Sequence, residues 1–377
     1  MADKCNIIKY PKIWGFKREP SRPVELRKDY FNGMKFNENF DWDNLWYDAV
    51  QITNNYIFLV GPCLYNTKDH IIGNCKFTTN DGVDIKILTC IDLERTSITV
   101  LELFEPVDTV ILQPSNTSIA VNKYDNTFEN HKVIVTLQKD NPISWIREWI
   151  AYHKANVSIN GVLIYDNAST DYTASELEKE LANTGVKVKV VEWNVPYGPQ
   201  GFDCDTYNTF DSDYAQHTMF EHAKRRYLTN AKLVVNADID ELLVIKNGNL
   251  DTVFDNLVVE NLAGYFYKAN WIEPYDLLNK KPAASIAAKN RTYKHYCCVD
   301  TSNTIDAGQK WMMIPGRGLS SQWGTHESNA PMRRNDDIYY GHYKPINTAW
   351  SRNRDDYNTN LEFLKVDYRL LANLFNY

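Results

Sequence analysis

The chain has 377 residues, with 41 Lys plus Arg against 48 Asp plus Glu, a formal net charge of −7. Hydrophobic residues make up 44% and charged residues 24%, which excludes wholesale disorder and suits two domains. The mild acidity argues against a dedicated nucleic-acid binder, and no apolar run reaches the ~18 residues that span a bilayer. The opening MADKCNIIKYPKIWGF lacks the apolar stretch of a signal peptide, so a cytoplasmic protein is expected, with peripheral membrane contact left open. Seven scattered cysteines without a CxxC spacing fit free thiols better than a disulfide framework or a zinc site.

Residues 1 to about 50 have no sustained period and read as a surface lead-in. From Asn55 short apolar runs follow closely: NYIFLV, HIIGNCKF, VDIKILTC, SITVLELF and VDTVILQ. Asn80-Asp81-Gly82 gives a hairpin signal between two of them, because Gly accepts the positive φ of a tight turn. This pattern predicts an antiparallel β domain over 1–127, lead-in included.

From residue 128 to 377 strand and helix signals alternate. KVIVTLQ (132–138) reads as a buried strand, and Asn141-Pro142 as a helix start with Ile146, Trp149, Ile150 and His153 at helical spacing. GVLIYD (161–166) is the next strand, and Thr173 with Glu176 forms a capping box for the helix after it. VKVKVVEW (186–193) is a third strand, a helix is expected over Ser212–Tyr227, and Leu233 opens a fourth strand. Leu361, Leu364, Tyr368 and Leu371 suggest a closing helix. Such alternation predicts an α/β domain whose ligands bind beyond the carboxyl ends of its strands.

Three strings carry chemistry. In LVVNADIDELLV an apolar strand ends on Asp238, Asp240 and Glu241. Clustered carboxylates repel one another, and a cation among them removes that cost. Oxygen ligands suit Mn²⁺ or Mg²⁺, and a remote His favours Mn²⁺. In LIYDNASTD, Asp166, Asn167, Ser169 and Asp171 can accept from an imide N–H or a ribose hydroxyl, although a polar turn before a capped helix reads equally well. Downstream lie His326 in WGTHES and His342 in YYGHYKP, with Lys344, Arg352 and Arg354 near them; such cations can neutralise a departing diphosphate, although an exposed, ion-paired helix start reads the Arg pair equally well. His326, in the Gly-rich GRGLSSQWGTH stretch, is preferred over His342 as the late metal ligand.

Glu148-Trp149, Tyr152-His153, Asp166-Asn167, Ser169, Asp171, Asp238, Asp240, Glu241, Lys310, Pro315, His326 and His342-Tyr343 follow one another in an order that resembles glycosyltransferase family 92 and its family-2-like relatives. The resemblance covers about residues 131–355. It implies an α/β GT-A fold, a Rossmann-like nucleotide-sugar domain, behind the N-terminal antiparallel β domain. It also implies a transferase that moves a hexose, galactose as the first guess, from a UDP-sugar donor to a glycan acceptor with inversion.

By this resemblance the donor is held by Thr136, Asp166, Asn167, Ser169, Asp171, Asp238, Lys310 and Lys344. The metal is held by Asp238, Asp240 and His326 or His342. Glu273 and Asp306 are the candidates to take the acceptor's proton, and Trp271 to stack on the acceptor sugar. Two departures from the family pattern stand out. Asn141 occupies the place of an acid before the first helix, and Trp271-Ile272-Glu273-Pro274 replaces a W-x-x-F-G segment. A metal-dependent phosphohydrolase and a non-catalytic carbohydrate-binding protein are the alternatives from other classes.

Overall fold

The structure is a computed structural model that describes residues 2–29, 36–206, 211–276, 279–303, 307–348 and 361–377. The α/β part contains β1 (Lys132–Gln138), α1 (Ile143–Val157), β2 (Gly161–Asp166), α2 (Ala174–Leu181), β3 (Lys187–Glu192), α3 (Tyr214–Ala223), β4 (Leu233–Asn236), β5 (Glu241–Ile245), α4 (Leu250–Val259), β6 (Gly264–Ile272), β7 (Gln309–Met313) and β8 (Met332–Tyr343). The first three strands and the capping box lie where the apolar runs predicted them, and both bonds of the Thr173–Glu176 box are formed.

Asp3–Lys4, β3, β2, β1, β4, β7, β6, β8 and β5 lie side by side in that order in one nine-stranded sheet. Its first half is parallel, and β7 and β5 run antiparallel to their neighbours. Successive residues of a strand face opposite sides. Ile134, Val162, Ile164 and Val235 accordingly join a core with Trp145, Trp149 and Ile150 of α1. Val133, Val135, Leu163, Tyr165 and Val234 join a second core with Met219 and Phe220 of α3. Burial on both faces explains why these strands read as unbroken apolar runs.

The N-terminal region forms an eight-stranded sheet, antiparallel except for its edge pair of Asn122–Lys123 with Asp48–Thr53. It has its own core, built on Trp46, Leu59, Phe77, Leu101 and Leu112. Three local expectations are corrected. The lead-in is not confined to the surface, because Asp3–Lys4 pairs with β3. HIIGNCKF splits into a helix, Thr67–Asn74, and a short strand, Lys76–Thr78, since only Ile71 of the Ile71–Ile72 pair has a core to face. The closing helix starts only at Tyr368, where Asp367 caps it, and Leu364–Val366 before it is a strand paired with Cys298–Asp300.

All ten residues of α3 are buried, because the helix lies between the two sheets. Thr218 Oγ1 reaches the Gly61 carbonyl of the N-terminal sheet at 3.4 Å. The seven cysteines are free. Among the described residues no helix is long and apolar enough to cross a membrane.

Candidate functional site

A cleft of about 710 Å³ opens at the carboxyl ends of β1, β2 and β4. Strand register sets its floor. Gln138 of β1 lies beside Asp166 of β2, and β4 ends on Asn236, the residue that pairs with Val135. Chain reversal after Asp238-Ile239-Asp240 starts β5, which pairs antiparallel with β8 so that Glu241 faces His342. Trp271, at the end of β6, is the partner of His342 on the other side. Three strand ends distant in sequence therefore meet at one point.

Asp240 Oδ2 lies 3.2 Å from His342 Nε2, and the other imidazole nitrogen, Nδ1, lies 3.3 Å from the Ala307 carbonyl. With the proton on Nδ1, the Nε2 lone pair and the carboxylate face each other, an arrangement that a cation between them would relieve. Asp240, Glu241 and His342 each bring a ligand atom within 4.8 Å of the others. This donor set fits a divalent ion of the Mn²⁺ kind.

Asp238 is held differently. Its Oδ2 accepts from Lys310 Nζ at 2.7 Å and its Oδ1 from Gln216 Nε2 at 3.3 Å, while its N–H donates to Glu241 Oε2 at 2.8 Å. Lys310 is fully buried and also stands 3.7 Å from Glu241. Burial acts to lower its pKa, but Asp238 and Glu241 overcome this and hold it above the ordinary range. Burial raises the Glu241 carboxyl, with Lys310 working against it.

On the opposite side, Asp166 Oδ1 accepts from Ser169 Oγ at 2.6 Å and from Gln138 Nε2. Burial raises its pKa, opposed by the Ser169 bonds. Asn167 donates to the carbonyls of Trp193 and Val195 at 2.8 and 2.9 Å, which ties the end of β2 to the segment after β3.

The expected site residues divide into two groups. Asn167, Asp238, Asp240, His326 and His342 line the cleft. Asp166, Ser169, Lys310, Lys344, Trp271, Glu273, Thr136 and Asp171 do not. Asp166 and Ser169 lie beneath Gln138, and Lys310 lies behind Asp238. Thr136 is buried in β1 one position out of register with the lining residues Leu137 and Gln138, and Asp171 is exposed beyond them. Trp271 stacks on His342, with ring centroids 4.2 Å apart and planes at 24°. Glu273 is buried and accepts from Lys344 Nζ at 2.5 Å, so these two charges are committed to each other. Asp306, Arg352 and Arg354 lie outside the described residues. His326 Nδ1 meets the Gln309 carbonyl at 2.8 Å, as His342 Nδ1 meets Ala307, and of the two histidines it is His342 whose Nε2 faces Asp240.

Pattern reading missed Gln138, Gln216, His217 and, from before residue 128, Glu38, Asn39 and Arg95, all of which line the cleft. The N-terminal region thus contributes to the cleft. The only local signal was Gln138, the last residue of a buried strand.

A second cluster, Cys5, Asp48 and His222, has metal-like spacing. Its Asp48 is already saturated by Asn6 N–H, Asn122 Nδ2, His222 Nε2 and Arg226, so it serves as a buried joint between the two sheets.

Residues 122–349 match glycosyltransferase family 92, and the chain belongs to that family. Family membership and the mixed sheet agree with the α/β GT-A class expected from the motifs. No curated protein matches the chain. Among solved structures it is similar to residues 1–349 of S. aureus TarS in complex with UDP, at 11% identity and a TM-score of 0.34 over 57% of this chain and 64% of that one. It is similar to core-mannan synthase A of Aspergillus fumigatus in its Mn/GDP form, at 11% identity and a TM-score of 0.30 over 66% and 86%. It is also similar to the WbbM bifunctional glycosyltransferase, at 12% identity and a TM-score of 0.30 over 54% and 36%. Against the longer TarS chain, the match spans 36% of that chain's length.

Proposed function

We propose that the protein transfers a hexose, galactose as the first guess, from a UDP-sugar to a glycan acceptor, with inversion and with Mn²⁺ or Mg²⁺. The observation that carries this reading is the facing pair Asp240 Oδ2 and His342 Nε2, 3.2 Å apart, in a cleft at the strand ends of a family 92 domain. In this reading Asp240 and His342 hold the cation, with Glu241 behind them. A bound divalent ion would supply Lewis-acid stabilisation of the leaving diphosphate.

The chain's own residues supply the rest. Lys310 fixes Asp238, which is left to accept from the ribose or a metal-bound water. Asp166 orients Gln138, and Asn167 holds the adjoining wall, for the nucleoside. Trp271 braces the ring of His342, and Lys344 lies 5.6 Å from the Trp271 ring. Family membership favours transfer over the phosphohydrolase and the binding-protein alternatives. Incubating the protein with a panel of nucleotide sugars and Mn²⁺, and following release of the sugar by NMR, tests this. Turnover of a UDP-hexose that stops in EDTA is expected. Turnover undiminished in excess EDTA would refute the metal-dependent reading.

A further inference from the structure

The cleft has a wall that the acid cluster and the nucleoside side do not use. Arg95 Nε, His217 Nδ1 and Thr325 Oγ1 are buried polar atoms without hydrogen-bond partners, and all three residues line the cleft. Buried polar atoms are almost always satisfied in native proteins, so three in one wall point to a ligand. His217 is 2% exposed.

The three come from distant segments. Arg95 sits in the hairpin between the N-terminal strands Asp84–Asp92 and Ser97–Glu102, His217 in α3, and Thr325 between β7 and β8. They converge nonetheless. All three line one cleft, and a Cβ at Gly324, next to Thr325, would stand 3.5 Å from His217 Cε1. The wall is braced rather than loose. Arg95 Nη1 donates to Asp213 Oδ2 at 2.8 Å, and Gln200 Nε2 donates to Asp213 Oδ1 at 2.9 Å. Gly198, at φ +103°, lets this segment approach α3, because a Cβ there would lie 2.8 Å from Tyr214 N.

The chemistry narrows the occupant. A neutral imidazole has one donor and one acceptor nitrogen, a threonine hydroxyl does both, and the Arg95 Nε–H donates. Mixed donors and acceptors match the hydroxyls of a sugar ring. Asp213, Asp238 and Glu327 also line the cleft and would repel a second anion. Gln216, the neighbour of His217, bonds Asp238, so this wall is continuous with the acid cluster.

We propose that Arg95, His217 and Thr325 form a pyranose-binding subsite, completed by the N-terminal sheet. It rests on the nucleotide-sugar reading above and names where the sugar lies. The hydroxyls come either from the donor's hexose or from the acceptor's terminal sugar.

Thr325→Val removes one hydroxyl at nearly constant volume, and Arg95→Met removes the guanidinium while keeping an apolar stem. Calorimetry with Mn²⁺ would compare UDP, UDP-galactose and UDP-glucose, and then methyl hexosides added to the UDP-bound protein. In both variants UDP should bind within about twofold of wild type, while the sugar-bearing probe weakens about fivefold or more. Weakening of the UDP-hexoses identifies the donor's sugar, and weakening of the methyl hexosides the acceptor's. Loss of UDP affinity equal to that of UDP-hexose, or no change with any probe, would overturn the subsite. A wild-type protein that binds none of the nucleotides would overturn the functional reading itself.

Discussion

Trp149 Nε1 donates to the backbone carbonyl of Glu241 at 2.9 Å, which pins α1 to the residue immediately after Asp240. One turn later His153 Nε2 accepts from the N–H of Leu243 at 3.1 Å, and its Nδ1–H donates to the Trp149 carbonyl at 2.8 Å. Glu148 accepts from Thr292 Oγ1 at 2.6 Å on the same helix. The E-W-x-x-Y-H motif is thus a clamp on the strand that carries the acids, and none of Glu148, Trp149, Tyr152 or His153 lines the cleft.

Trp149→Phe should therefore act through position. The smaller ring fills most of the site, but the Glu241 carbonyl loses its donor and a void is left, at a cost of at least about 1–3 kcal/mol in unfolding free energy. The Mn²⁺ concentration for half-maximal rate should rise by about tenfold, as for other residues that orient metal ligands. Denaturant titration and a metal-activation curve check the two effects separately.

His153 should make the protein acid-sensitive. Burial pulls its imidazole down to about 4, from an ordinary value near 6.5. Below about pH 6.5 the unfolded chain takes up a proton that the folded imidazole refuses, so stability is whole above 6.5 and is lost as pH falls towards 4. The full loss amounts to about 3 kcal/mol. Other buried histidines add to the slope, so the measurement is the difference between wild type and His153→Gln in urea unfolding across this window. The variant's profile should be flatter by about that amount.

Lys310→Met should destabilise more than any surface change. It removes a fully buried cation from Asp238 at 2.7 Å and Glu241 at 3.7 Å and leaves two carboxylates facing each other. Breaking such a buried pair costs about 3–5 kcal/mol, and partial exposure of Asp238 to cleft water places this case near the lower end. Chemical denaturation would measure it.

The parts legible in the sequence were those fixed by local pattern. β1, β2 and β3 are buried on both faces, so their apolar runs were continuous, and the Thr173–Glu176 box is a four-residue signature. The acid cluster was legible because polar residues end an apolar strand abruptly. The facing of Asp240 and His342 was not, because it depends on β5 pairing antiparallel with β8 about 100 residues away. Arg95 was invisible for the same reason, being an ordinary hairpin residue until the two sheets meet around α3. Glu273 looked like a free acid beside a Trp, and only the fold brings Lys344 onto it.

The central claim is that Asp240 and His342 hold the catalytic cation, and Mn²⁺ binding tests it without reference to donor or acceptor. The electron paramagnetic resonance signal of free Mn²⁺, titrated with wild type, Asp240→Asn, His342→Ala and His326→Ala in the presence of UDP, reads affinity directly. The dissociation constant should rise about tenfold or more in the first two variants and stay within about twofold in His326→Ala. Unchanged binding in Asp240→Asn and His342→Ala, or a loss confined to His326→Ala, would contradict the account.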